Sequence, residues 1–232
     1  MKHLLARGAA ALALIAAGAV APAAAQTHTF SLGGAYIDLH SKAPPLSSNP
    51  PTLPTGFEAG VKVDDASTVI FGYIYRVNER WSLEAALGIP PEHKTYGTDF
   101  IEPFGQVSSM KQVAPTVFVN WHFEPIGNSG VEPFVGLGLN YTKFIDGRST
   151  PSGNAASGGP TKIKLSSSWG LAAHAGLAYK LDQNWSILGT IAYADVESDV
   201  TATTTTGTGQ VVRRTTIDFR PVVYTLCIGY SF

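Results

Sequence analysis

The last nine residues, Tyr224-Thr225-Leu226-Cys227-Ile228-Gly229-Tyr230-Ser231-Phe232, carry a large apolar or aromatic side chain on every second position and end on Phe. Successive side chains of a β-strand point to opposite faces. The stretch therefore reads as one strand, with Tyr224, Leu226, Ile228, Tyr230 and Phe232 on one face and small residues on the other. Alone, it fits a core strand of a soluble β-protein as well as a strand in a membrane wall.

The rest of the chain separates these readings. Period-two alternation divides it into eight segments of about ten residues, the length of a tilted membrane-spanning strand. They begin near Phe30, Ser67, Trp81, Val113, Val131, Ser168, Trp185 and Pro221. The connections alternate in length: residues 77–80, 124–130 and 181–184 are short, whereas 40–66, 90–112, 145–167 and 198–215 are long. Short turns on one side and long loops on the other mark the outer-membrane barrel, with the long loops outside the cell. The expected fold is all-β, an eight-stranded antiparallel transmembrane β-barrel. Its last strand resembles the closing strand of such barrels, whose terminal Phe is an address read by the barrel-assembly machinery.

Side-chain parity supports the same fold. Val69, Phe71, Tyr73 and Tyr75, then Leu83, Ala85, Leu87 and Ile89, then Leu171, Ala173, Ala175 and Leu177 form uncharged rows. A charge there would cost roughly 2–4 kcal/mol at the bilayer midplane. Where that parity carries charge, at Asp38, Lys143, Asp195 and Arg220, the up-and-down topology puts it at the extracellular rim. Phe30, Tyr75, Trp81, Trp121, Phe123, Tyr179, Trp185, Tyr230 and Phe232 collect at the periplasmic ends. Tyr36, Tyr141, Trp169, Tyr193 and Tyr224 lie toward the other end. All 4 Trp fall in these two bands, as amphipathic rings at membrane interfaces do.

At the other terminus, residues 1–25 have a basic start (Lys2, Arg7), an Ala- and Leu-rich run and the small residues Ala23-Ala24-Ala25. This is the pattern of a secretory signal peptide. Cleavage is expected after Ala25, leaving residues 26–232 as one barrel domain exported to the bacterial outer membrane. No later run approaches the ~18 apolar residues of a membrane helix. With 14% charged residues and a net charge of -1, no basic stripe exists to neutralise phosphates, so nucleic acid is not an expected partner.

Catalytic signals are weak. Asp64-Asp65 reads as a solvated charge pair. His40-Ser41 lacks a third orienting group and joins sequence neighbours, which seldom face each other. The 6 His are dispersed, Cys227 is the sole cysteine and reads as a small lumen-facing residue, and no metal site or cofactor is inferred. The chain does not read as an enzyme. In the long connections, the Pro-rich residues 43–54, the Gly- and Ser-rich residues 152–160 and the Thr- and Gly-rich residues 201–209 are expected to be extended or mobile.

The inward parity is more informative. Ile37, Ile70, Phe118, Phe144, Ala192, Ala194, Val196 and Val223 give an apolar upper lumen, and Arg76, Glu84, Asn120, His122 and His174 a polar lower one. Side chains fill an eight-stranded barrel, so a broad aqueous pore is not expected. The lower group is expected to form an ion-paired and hydrogen-bonded plug led by Arg76 and Glu84, whose expected role is structural.

The stretch from Pro133-Phe134-Val135-Gly136-Leu137-Gly138 to Thr142, the segment Ser168-Trp169-Gly170, Pro115-Thr116 leading to Trp121, Glu84, His93-Lys94 and the closing Gly229-Tyr230-Ser231-Phe232 together resemble the OmpW family. The resemblance covers most of the chain from Val69 onward and is weakest in the first long loop. It implies an eight-stranded outer-membrane barrel with a narrow hydrophobic channel for passive uptake of small hydrophobic molecules. It brings no catalytic residues. Expected partners are outer-membrane lipid and lipopolysaccharide, the assembly machinery and hydrophobic solutes. The alternatives are a structural or adhesive barrel whose loops bind partners, and an outer-membrane hydrolase.

Overall fold

A computed structural model describes residues 27–53 and 56–232; the expected signal segment, 1–25, lies outside the described residues. The strands are β1 (His28–Leu39), β2 (Ser47–Asn49), β3 (Ala59–Val63), β4 (Ala66–Arg76), β5 (Trp81–Gly88), β6 (Glu92–Asp99), β7 (Gln106–Val113), β8 (Thr116–His122) and β9 (Val131–Ser149). After helix α1 (Pro151–Ser157) come β10 (Thr161–Leu165), β11 (Ser168–Lys180), β12 (Trp185–Ala194), β13 (Glu197–Thr206), β14 (Gly209–Asp218) and β15 (Pro221–Ser231).

Eight of these close an antiparallel barrel in the order β1, β4, β5, β8, β9, β11, β12, β15 and back to β1. Closure runs from Thr29 opposite Ser231 to Leu39 opposite Pro221. No spanning strand is left with an unpaired edge, as hydrocarbon requires of a β-structure. The alternation behaves as its sequence predicts: Leu171 and Leu226 are 73% and 66% exposed, while their neighbours Ala172 and Cys227 are 5% and 7% exposed. A Leu and aromatic belt of this kind suits a bilayer rather than water.

The periplasmic turns have simple chemistry. The Asn78 carboxamide oxygen accepts from the Arg80 and Trp81 amides, and Asp182 Oδ1 accepts from the Asn184 and Trp185 amides. Both are side chains standing in for a turn carbonyl. In the turn before β9, Gly127 and Gly130 take φ of 54° and 72°, where a Cβ would be strained.

Above the membrane the wall continues as a second tier. Long β9 passes upward and pairs with β7 on one side and β10 on the other. The sequence β3, β6, β7, β9, β10, β13, β14, β2 then runs around the tier, and Leu46 N–H donating to the Ala59 carbonyl (2.8 Å) ties its ends together. Two expectations change here. Residues 201–209 belong to the β13–β14 hairpin, whose ten-residue strands pair from Glu197 opposite Asp218 to Thr206 opposite Gly209. Residues 152–157 belong to α1, which is capped by Thr150 Oγ1 accepting from the Gly153 amide and ended by left-handed Gly158. Composition pointed to irregular loops, but neighbouring edges supplied the pairing partners. The fourth spanning strand starts at Thr116 and not at Val113, which ends β7; Pro115 separates them.

Candidate functional site in the barrel lumen

Three layers fill the lumen. The lowest is an ion-paired network. Arg76 Nη2 donates to Glu132 Oε1 at 2.6 Å, His122 Nδ1 lies 2.6 Å from the same oxygen, and Ser82 Oγ bonds His122 Nε2 at 2.8 Å. Lys180 Nζ stands 4.0 Å from the other oxygen of Glu132, near the periplasmic mouth. The expected Arg76–Glu84 pair is not formed. Register explains why: Arg76 is opposite Ser82 and Ile74 opposite Glu84, so Glu84 sits two residues higher. The guanidinium instead reaches across the lumen to β9.

The next layer is held by amides and rings. Asn120 Nδ2 donates to Glu84 Oε2 at 2.8 Å, and His174 Nε2 donates to Asn120 Oδ1 at 2.7 Å. Phe118 lies flat on the His174 imidazole with centroids 3.9 Å apart, and Phe134 meets the same ring edge-on. Gly136 makes this possible. A Cβ there would collide with Asn120 Oδ1 and His174 Nε2, so the glycine admits both side chains. Glu132, Phe134 and Ser82 belong to this plug and are not among the lumen residues read from the sequence. Counting inward from Asn140 along β9 reaches Glu132 and Phe134, so alternation held the signal.

Above Phe118 lies a cavity of about 140 Å³ bordered by Ile37, Ile70, Phe118, Ala192, Val196 and Val223, with Ala194 also at its wall. Phe144 is higher, stacked on Phe219 in an apolar cluster with Leu39, Val63, Met110 and Ile217 that covers the cavity. The cavity also touches Leu87, Gly88, Pro91, Ala114 and Thr116. There the wall is thin: β5–β8 pairing stops at Ala86 opposite Thr116, and the next backbone bond is Gln112 N–H to the Pro91 carbonyl at 3.2 Å. Pro90, Pro91 and Pro115 occupy the interval and have no N–H to donate.

The other candidates are dispersed. Ser41 Oγ accepts from the Val63 amide, and the exposed His40 faces Asp38 at 3.8 Å, so they form no nucleophile–base pair. Asp65 is not simply solvated: its carboxylate accepts from Tyr36 Oη and the Leu39 amide, both at 2.8 Å, and so fixes the barrel rim. His93 is fully buried where the tiers meet, with Nδ1 against the Asp64 carbonyl. No group of three or more His, Cys, Asp or Glu that could hold a metal occurs among the described residues.

The OmpW family profile matches residues 34–232, the second half of β1 and all seven other barrel strands. The chain belongs to the OmpW family. Outer membrane protein W of Vibrio cholerae is 30% identical over 188 residues, 81% of this chain and 83% of that one. The dibenzothiophene metabolism operon protein PahQ of Pseudomonas aeruginosa is 25% identical over 168 residues, 72% of each chain. The crystal structure of outer membrane protein OprG from Pseudomonas aeruginosa superposes with a TM-score of 0.76 at 24% identity, covering 90% of this chain and 96% of that one. OmpW proteins are non-enzymatic membrane barrels, which removes the hydrolase reading.

Proposed function

We propose that this barrel is an outer-membrane channel for passive uptake of small hydrophobic molecules. The observation that carries the reading is the apolar cavity over a polar plug, running out to the proline-interrupted wall between β5 and β8. A solute reaching Ile37, Ile70 and Val223 faces a floor of Phe118 on His174, below which charged and amide groups are already paired with one another. Displacing those partners costs more than an apolar solute returns. Leaving sideways past Leu87 and Ala114 into hydrocarbon is downhill, because the apolar surface of a solute that came from water ends in lipid. PahQ, named for a dibenzothiophene metabolism operon, gives the reading a chemical neighbour. Cleavage after Ala25, and presentation of the outward row Tyr224, Leu226, Ile228, Tyr230 and Phe232 to the assembly machinery, complete the proposed export route.

One set of cells tests the whole route. Outer membranes from expressing cells are expected to yield a mature chain beginning at Gln26, and those cells to take up radiolabelled naphthalene faster than cells lacking the protein. Phe118→Asp places a charge in the passage and Ala114→Trp fills the thin wall; each is expected to return uptake to the background rate at matched folded protein. Uptake unchanged in both folded variants sinks the lumen route and leaves the adhesive reading in its place.

A further inference from the structure

The upper tier holds a second, larger cavity of about 600 Å³, open on one side and within the range of small-molecule pockets. Its wall is mostly apolar, with Val107, Met110, Ile163, Val200, Ala202 and Val211 among its lining, and Arg213 is the one charged residue among those that line it. Arg213 points inward because it shares the parity of Val211, Thr215 and Ile217, each less than a tenth exposed.

The guanidinium is half buried and held only by neutral acceptors. It donates from Nη1 to Thr204 Oγ1 at 3.1 Å, and from Nη2 to Thr52 Oγ1 at 3.2 Å and to the Ser157 carbonyl at 3.3 Å. Charge-assisted bonds are shorter than these, about 2.7–2.9 Å. Nε and one Nη1 hydrogen have no acceptor among the described residues, and no carboxylate of the described residues lies within 4.0 Å. Arg76, Arg80 and Arg220 each have such a carboxylate, and Arg148 and Arg214, which have none among the described residues, are exposed to water. An arginine stays charged when it is taken from water, so a half-buried one without a counter-ion is incompletely compensated.

We propose that this cavity binds amphipathic monocarboxylates, the carboxylate displacing one of the long neutral bonds at Nη2 to take the fork of Arg213 and the hydrocarbon lying against Val200, Ala202 and Ile163. A single cation favours a single negative charge. A polyanion would leave its remaining charge unpaired against apolar wall. The planar fork matches a carboxylate and not an alcohol, so the chain length is read by the wall and the head group by Arg213. This cavity is separate from the one that carries the proposed uptake route, so binding here is measured without transport.

The test is equilibrium binding of radiolabelled decanoate to the folded barrel in lipid nanodiscs at neutral pH, with empty nanodiscs subtracted and decanol as the neutral probe of equal chain length. Saturable decanoate binding at least tenfold tighter than decanol binding is expected. Arg213→Gln keeps N–H donors for Thr52 and Thr204 and is expected to weaken decanoate at least tenfold while leaving decanol unchanged; Arg213→Lys should fall between. Ala202→Phe keeps the arginine, fills the cavity and should weaken both probes, which serves if the arginine variants do not fold. Equal binding of decanoate and decanol to the wild-type protein, or undiminished decanoate binding to folded Arg213→Gln or Ala202→Phe, overturns the proposal.

Discussion

The two tiers of this barrel share strands and a two-residue period, yet they are built inside out with respect to each other. In the membrane tier the outer face is Leu, Val and aromatic, and the lower lumen holds Arg76, Glu84, Asn120, His122, Glu132 and His174. In the extracellular tier Lys162, Lys164, Asp199 and Arg214 face outward, and Val107, Met110, Val211 and Ile217 are buried inside. The backbone is indifferent to the inversion. What changes is the surrounding solvent, lipid below and water above; the polar residues that lipid rejects gather in the lower lumen, while the upper lumen is apolar like the interior of the tier above it.

The largest expected effect comes from emptying one seat of the lower network. Arg76→Ala leaves Glu132 buried against His122 without its guanidinium, which should cost about 3–5 kcal/mol of barrel stability. Urea unfolding in lipid, followed by the gel shift of the folded form, measures it. A double-mutant cycle is expected to show strong coupling of Arg76 to Glu132 and little to Glu84. Strong coupling to Glu84 instead would mean that the register-based pairing is wrong.

The inversion itself is tested by moving one charge along the outer face. Leu171→Arg sets a cation against hydrocarbon and should cost roughly 2–4 kcal/mol. Val212→Arg, on the outward face of β14 above the membrane, should stay within about 0.5 kcal/mol of the wild-type protein. Similar penalties at the two positions would abolish the distinction between tiers.

A smaller effect belongs to the junction. Burial pushes the His93 pKa below the ordinary histidine value, so the folded protein favours the neutral ring. The unfolded chain takes up the proton first, and this contribution to stability is present above about pH 6.5 and lost as pH falls below it. His93→Gln is expected to show less loss of stability between pH 7.5 and pH 5 than the wild-type protein. Identical pH dependence in the two proteins would show that His93 is not a source of the acid sensitivity.

Much of the membrane tier was legible because a bilayer imposes a strict rule: every second residue must tolerate hydrocarbon, so Leu171, Leu177, Leu226 and Ile228 announce both the strand and its outward face. Seven of the eight strand starts lie within two residues of those read from the chain, and the eighth lies three residues later, beyond Pro115. The extracellular tier was less legible. Thr201 to Thr206 and Ser152 to Ser157 are composed like loops, and only the unpaired edges of neighbouring strands, together with the Thr150 cap, give them regular structure.

By itself, then, the sequence determined the alternation, the eight spanning segments, the two aromatic bands and the sorting of short turns from long connections. Each of these is local, carried by residues a few positions apart. Tertiary structure alone decided that Arg76 meets Glu132 and not Glu84, that Phe118 roofs His174, that the β5–β8 wall opens at its prolines, and that Arg213 faces an apolar cavity with no carboxylate among the described residues that line it. Those depend on strand register and on which side chains a closed barrel brings together across its interior, distances that no spacing along the chain encodes.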